Sequence, residues 1–496
     1  MNQRRRITYV DAICGSGKST TLQHYIKSSL LTNSEAIPPR YLLVMPTHEL
    51  CGQVREELKD RRVKSYHVDT ETEAVNHLVA TLENDFEHSV IICTHQCFIH
   101  YCYRAEFEPE LQNLLKNFSV VTDEIPDAMF GAYIKVQHTD RTEENFPFLE
   151  WLEERDGLLF LREDCRDEFY KYWHEKQASG AELKRLLWAI MQGAGLLYEE
   201  NKHLFAFTAS PIIRSVEWAE QFTLLGAGSS RSLFVWTAEH LAKYAVEEAG
   251  EHLQPPIERR KHKRVPISLV AVCENRCTLT ALQKVFHEHL QEIIQRVPGE
   301  FIFATNRDKA LCQFTTIGDD ILSNSACGER VSMASYGLNH YQHIHNAVFL
   351  GCSNLDRDFQ GKWRLYGELN GWNVEEFEQK QRAAMNYERC YQFISRTSVR
   401  NADTDHPLVF VVPDLATAEY IKEHYFPGAK VECLNFGKVR KKRDTSKGDN
   451  TRAEIQKHKA REGANKQVIS SQADSLIKIS RIWADFFPAN TSNQPI

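Results

Sequence analysis

Apolar positions along this chain fall into two alternating series. From residue 7 to about 125, short apolar runs at 7–11, 41–45, 89–93 and 118–122 alternate with stretches of helical period. The runs are rich in Val, Ile and Leu and show little polar alternation, as strands buried on both faces require. A second series has runs at 267–272, 301–304, 347–351 and 408–412. Strand–helix alternation of this kind predicts parallel α/β sheets, one per series. Between them the period changes. Residues 148–154 and 182–188 are helical in pattern, aromatic and charged, which predicts a helical insertion over about 127–200. The first sheet is expected to resume with Leu204-Phe205-Ala206-Phe207-Thr208. Trp151, Trp173 and Trp188 sit at helical spacing with Leu neighbours, a pattern of core packing.

Punctuation divides the chain further. Pro255, Pro256 and Pro266 enclose the basic run Arg259-Arg260-Lys261-His262-Lys263-Arg264, a composition suited to an exposed linker. The expected organisation is a first domain at 1–249, a linker at 250–266, a second domain at 267–436 and a tail at 437–496. The fold class is α/β, with two RecA-like parallel-sheet domains in tandem, a helical insertion in the first and a basic C-terminal tail.

Charge and cysteine usage narrow the partners. The 496 residues carry a formal net charge of -7, so nucleic-acid contact has to come from local patches. From Lys438 to Lys466 the tail holds eleven Lys/Arg against four Asp/Glu, which suits either a solvated segment or a supplementary phosphate-backbone contact. Thirteen cysteines without regular spacing predict free thiols in a reducing compartment. Cys51, Cys93, Cys97 and Cys102, with His95 and His100 nearby, fit buried thiols better than a metal signature. No apolar run approaches the roughly 20 residues that cross a bilayer. The expected location is intracellular and away from membranes: cytoplasmic, or nuclear where the nucleic acid is nuclear.

The chemistry starts at Ala12-Ile13-Cys14-Gly15-Ser16-Gly17-Lys18-Ser19, between an apolar run and a helical stretch. Strand, glycine-rich loop and helix are the context a phosphate loop requires. Its glycines let backbone N–H groups face phosphates, Lys18 reaches the β and γ oxygens, and the Ser19 hydroxyl can ligate magnesium. About a hundred residues later, Asn117-Phe118-Ser119-Val120-Val121-Thr122-Asp123-Glu124 ends an apolar run in two carboxylates. Asp123 there can hold the magnesium shell with Ser19, and Glu124 can orient the attacking water. ATP hydrolysis is the predicted reaction, with ATP and Mg2+ as cofactors.

In this order the motifs resemble the superfamily 2 helicases, the DEAD/DEAH-like class with two RecA-like domains. The phosphate loop is similar to motif I, and Asp123-Glu124-Ile125-Pro126 to the DExx box. Pro46-Thr47-His48-Glu49-Leu50-Cys51-Gly52-Gln53 resembles motif Ia, and Thr94-His95 stands where the family often places a strand-contacting Thr. Phe207-Thr208-Ala209-Ser210 resembles motif III with its order altered. Ala304-Thr305-Asn306 matches the position of motif IV, and Ser335-Tyr336-Gly337-Leu338-Asn339 resembles motif V. Gln392-Phe393-Ile394-Ser395-Arg396-Thr397-Ser398-Val399-Arg400 resembles motif VI, with its arginines four residues apart instead of three.

The resemblance implies an ATP-dependent helicase or translocase that moves on or unwinds a strand, in DNA replication or repair. It implies nucleotide contacts from Gly15, Ser16, Gly17, Lys18, Ser19, Thr20, Gly337 and Asn339. Catalytic roles fall to Lys18, Asp123, Glu124, Gln392, Arg396 and Arg400, the last as the arginine finger. Both arginines are expected on one helix face. Strand contacts are implied for Pro46, Thr47, Thr94, His95, Thr305, Asn306 and Ser335. The partner is single-stranded or forked nucleic acid, DNA in preference to RNA, and the 127–200 insertion offers room for a protein partner. Compact size and loose motif spellings resemble viral, plasmid or mobile-element helicases. An RNA helicase and an ATP-gated remodeller or loader without unwinding activity are the alternatives. A packaging motor is disfavoured, because the second domain lacks the acidic cluster of a nuclease. No glutamine motif that would read adenine lies among the eleven residues before Ala12, so ATP is the default nucleotide.

Overall fold

A computed structural model describes residues 6–32, 38–60, 63–68, 73–84, 88–135, 146–175, 181–199, 202–262, 265–278, 281–282, 285, 288–306, 327–333, 340–353, 357–401 and 404–436. The chain forms two compact units. The first holds residues 1–260 and 357–384, and the second holds 261–356 and 385–496.

The first unit is built on strands β1 (Arg6–Asp11), β2 (Arg40–Met45), β3 (Ser65–His67), β4 (Val90–Thr94) and β5 (Phe118–Asp123). Strands β6 (Met129–Lys135), β7 (Leu152–Arg155), β8 (Leu158–Leu161), β9 (Leu197–Glu199) and β10 (His203–Ala209) lie in the middle of the unit's sequence. β11 (Gln221–Gly226) and β12 (Ala245–Glu248) complete it. The main sheet has seven strands in the order β12-β1-β11-β5-β2-β4-β3, every pair parallel. β4 is buried at all five positions, as a strand covered on both faces must be. Val10, Leu43, Val90, Ile92, Val121 and Leu225 pack one face against Leu22, Ile26, Cys51 and Val54.

β10 does not rejoin that sheet. It pairs antiparallel with β6 and β9 in a separate three-stranded sheet, so the expected resumption at 204–208 is corrected. The strand between β1 and β5 is β11 instead. The 127–200 stretch contains the helices Arg166–Glu175 and Ala181–Met191, and adds β6, β9 and the β7–β8 hairpin. Its own core holds Phe148, Phe169, Trp173, Leu187 and Trp188, with Trp151 packed against it. The Trp173 indole N–H donates to the Tyr103 hydroxyl at 2.8 Å.

Helices Arg357–Leu369 and Val374–Arg382 belong to the first unit although they lie within the second series. Tyr366 is buried; its hydroxyl donates to the Phe207 carbonyl at 2.9 Å and accepts from the Phe207 N–H at 3.3 Å. Trp363 lies 4.5 Å from the Phe207 ring, and Lys380 donates to the Arg231 carbonyl at 2.9 Å. Removing one such buried aromatic costs about 3–5 kcal/mol, so this packing fixes the helix pair firmly.

The second unit carries β13 (Ile267–Cys273), β14 (Phe301–Thr305), β15 (Gly328–Arg330), β16 (Asn346–Leu350), β17 (Leu408–Asp414) and β18 (Lys430–Cys433). They form a six-stranded parallel sheet in the order β15-β14-β16-β17-β13-β18. Two RecA-like α/β units with parallel sheets are therefore present. The tail from residue 437 lies outside the described residues. Among the described residues no helix is long and apolar enough to cross a membrane.

Candidate nucleotide and strand sites

Parallel sheets bind ligands at the C-terminal ends of their strands. In the first unit β1, β11 and β5 end level with one another, for Asp11 pairs with Gly226 and Leu225 with Asp123. The loop after β1 and the carboxylates after β5 are thus brought to one edge. Gly15 and Gly17 take φ of 80° and 88°, where a side chain is strained, so the loop's curl depends on them. Ser16 is buried and its hydroxyl has no partner among the described residues. Thr20 is exposed.

Lys18 is buried, and its ammonium donates to the loop's own carbonyls, Ala12 at 2.7 Å and Ile13 at 3.0 Å. The Ser19 hydroxyl donates to Asp123 Oδ2 at 2.8 Å. Burial pushes the Asp123 carboxyl up; the Ser19 bond, the Lys18 charge and the Glu124 backbone pull the other way. A hydroxyl and a carboxylate in contact are hard oxygen donors of the kind magnesium takes. With the orphaned Ser16 hydroxyl and the glycine cradle, these residues fit a magnesium–nucleotide. Ser19 and Asp123 would hold the metal, which would neutralise phosphate charge.

Glu124 follows at φ 63°, in the left-handed region, and is half-buried. A non-glycine residue there costs on the order of 1 kcal/mol, which the surrounding fold has to sustain. Gly226 stands close by: a Cβ on it would lie 2.6 Å from Ile125, so only glycine lets β11 end against this turn.

Several residues expected at a strand groove have partners inside their own unit. Thr47 caps helix His48–Leu58 by accepting from the Leu50 N–H at 3.3 Å. Thr94 caps helix His95–Ala105 by accepting from the Cys97 N–H at 3.2 Å. His95 is half-buried, with Nε2 2.9 Å from the Asp123 carbonyl, and desolvation lowers its pKa to about 4. At neutral pH it is an uncharged prop for the carboxylate turn. Pro46 and Thr305 are buried. The Asn306 amide donates to the Cys352 carbonyl at 2.8 Å and accepts from the Cys352 N–H at 2.7 Å, which ties the ends of β14 and β16 together. Ser335, Gly337 and Asn339 lie outside the described residues.

Gln392 is half-buried on helix Glu388–Ile394. That helix ends before the arginines, which corrects the expected shared helix face. Thr397 donates its hydroxyl to the Ile394 carbonyl at 2.8 Å and starts a 3-10 turn, Ser398–Arg400. Arg396 is 4% exposed, and its guanidinium donates to the Ser332 carbonyl at 3.2 Å; Arg400 is half-buried in the turn.

The residues resembling motif III lie at the end of β10 and just after it, outside the parallel sheet, where Ala209 pairs with Met129 and the Ser210 N–H donates to the Ala128 carbonyl at 2.9 Å. Between β1 and β5 the edge is made instead by the loop after β11. Asp11 Oδ1 accepts from the Gly228 N–H at 2.7 Å, and its Oδ2 accepts from the Ser230 N–H and hydroxyl. Sequence reasoning missed Asp11, Gly226 and Ser230. The signal was a carboxylate directly before the phosphate loop and an apolar run ending in Gly226-Ala227-Gly228-Ser229-Ser230.

Residues 3–138 match the DEAD/DEAH box helicase family. This part of the chain is accordingly the ATP-hydrolysing domain of a helicase, a module that uses ATP with Mg2+. No curated protein matches the sequence. Among solved structures, S. tokodaii Xpd4 is similar at 12% identity and TM-score 0.45, over 86% of this chain and 96% of that one. S. cerevisiae Dbp5 bound to RNA and ADP BeF3 is similar at 10% identity and TM-score 0.39, over 92% and 90%. Mss116p bound to ssRNA and AMP-PNP is similar at 12% identity and TM-score 0.38, over 87% and 72%. Likeness at this level says nothing of what this chain acts on.

Proposed function

We propose that this chain, an ATP-hydrolysing enzyme with a DEAD/DEAH box helicase domain, moves along or unwinds nucleic acid, with DNA in replication or repair as its track. The observation that carries the reading is the Ser19–Asp123 contact at 2.8 Å, beside Lys18 and Glu124 on one sheet edge. In this reading Lys18 holds the β and γ oxygens, and Ser19 and Asp123 hold magnesium. Glu124 orients the attacking water. Gln392, Arg396 and Arg400 take the γ-phosphate and finger roles that their resemblance to motif VI implies. Pro46, Thr47, Thr94, His95, Thr305, Asn306 and Ser335 take the strand contacts.

DNA in preference to RNA rests on the likeness of the motif spellings to replication helicases. The test is the ATPase rate with single-stranded DNA, duplex DNA and RNA as competing stimulators, followed by strand displacement on a forked duplex. Stimulation by single-stranded DNA above RNA, with displacement, is expected. Stimulation by RNA alone would make the chain an RNA helicase. ATPase without displacement or movement on any strand would make it a remodeller or loader.

A further inference from the structure

The basic stretch after β12 has the composition of an exposed linker, yet its first half is folded. The Ala249 N–H donates to the Tyr9 carbonyl at 2.8 Å, which extends the β1 edge. Gln254 is buried and donates to the Ala249 carbonyl and to Glu248, both at 3.2 Å. Ala249 and Leu253 pack into the cluster that holds Leu22 and Ile26, on the helix that follows the phosphate loop. The His252 and Tyr25 rings lie 5.0 Å apart. The segment is therefore tied to the two elements that bracket the loop.

It ends in a short turn, Ile257–Arg259, closed by the Arg259 N–H donating to the Pro256 carbonyl at 2.8 Å. The next residue, Arg260, spends its guanidinium on Glu251 at 2.6 Å and the Pro255 carbonyl at 2.7 Å. Arg259 is exposed, and its guanidinium has no hydrogen bond or ion pair among the described residues. It lies against the phosphate loop. Among the described residues, a Cβ built on Gly17 would have one neighbour within 4 Å, Arg259 Nη1 at 3.9 Å.

We propose that Arg259 is a second cation for the phosphates of the bound nucleotide, presented to the loop from the segment that leaves the first unit. The inference rests on the reading of Lys18 and Ser19 as the nucleotide site. A triphosphate brings more negative charge than Lys18 offsets, and a guanidinium forks two N–H donors onto phosphate oxygens. Fixing the turn beforehand leaves only side-chain freedom to be lost on binding. Arg259 stands one residue before the point at which the chain first leaves the first unit.

The test is equilibrium binding of Mg·ATP, Mg·ADP and AMP to the full chain, at low and at high salt. Arg259→Ala should weaken Mg·ATP by about tenfold, the loss of one charge-assisted contact. Mg·ADP should lose less and AMP least, and Arg259→Lys should recover part of the loss. The difference should shrink at high salt. Unchanged Mg·ATP affinity in a folded Arg259→Ala chain would overturn the proposal, as would an equal loss for all three nucleotides, which would mean a nucleoside contact. Failure of the underlying reading has another signature: wild type and Lys18→Ala alike would bind no nucleotide.

Discussion

Each unit ends a parallel strand in a buried aspartate, and the two are held in different ways. Asp414 closes β17 in the second sheet; Asp123 closes β5 in the first. Asp414 accepts from the Thr417 N–H at 2.9 Å, the Thr417 hydroxyl at 2.8 Å and the Cys277 N–H at 2.8 Å. Two of those donors are backbone, so the carboxylate caps helix Leu415–His424 and pins the loop at Cys277. Asp123 takes the Ser19 hydroxyl, a side chain that can turn to a metal, and burial still holds its carboxyl above the ordinary range. Strand-end acids look alike in sequence. Their donors separate a capping carboxylate from one whose charge is kept at a cost for chemistry.

Turnover separates the two aspartates most. Glu124→Gln and Asp123→Asn should each lower steady-state ATPase by orders of magnitude, because the water loses its orienting carboxylate or the metal loses a ligand. Asp414→Asn should retain its rate per folded molecule. A wild-type rate in Glu124→Gln would return Asp123-Glu124 to the class of solvated strand ends.

On stability the ranking reverses. Asp414→Ala leaves three buried donors unpaired and should cost about 3–5 kcal/mol in denaturant unfolding of the second unit. Asp123→Asn should leave the nucleotide-free protein as stable as wild type or more so. The raised pKa means that folding disfavours the ionised carboxylate: its contribution is complete below the unfolded value and is lost as pH rises through the folded one. At neutral pH the charge is a net cost, and asparagine removes it.

The turn after Asp123 gives two smaller effects. His95, whose folded pKa is lowered to about 4, contributes stability that is present above the unfolded value of 6.5. That contribution is lost as pH falls toward 4, up to about 3 kcal/mol. His95→Asn should flatten this part of the acid unfolding profile; an unaltered profile would detach His95 from the turn. Smallest is Glu124→Gly, which relieves the left-handed backbone and should raise stability by up to about 1 kcal/mol while abolishing turnover.

Both halves of the proposed nucleotide site could be read in the sequence because each is local: a loop between a strand and a helix, and two acids at the end of an apolar run. Strand partnership was not. Leu204-Phe205-Ala206-Phe207 reads as a buried strand whether it joins the parallel sheet or, as it does, an antiparallel one beside it. The helix end at Ile394, before Arg396 and Arg400, was hidden because Thr397 takes the Ile394 carbonyl with its side chain, a competition that periodicity does not register. Residues 250–260 look like linker by their prolines and charges, but the buried Gln254 ties them to β12. Helices Arg357–Leu369 and Val374–Arg382 lie among second-unit residues yet pack on β10 through Tyr366, a choice of partner made far along the chain.

The contrast between the two aspartates is tested most directly by thermal unfolding of the full chain with and without Mg·ATP. Wild type and Asp414→Asn should both gain stability on adding Mg·ATP, from different starting points, because ligand binds the folded state only. Asp123→Asn should start at or above wild type and lose most of the magnesium-dependent gain. A full gain in Asp123→Asn, or its loss in a folded Asp414→Asn, would contradict the assignment of the metal site to the end of β5.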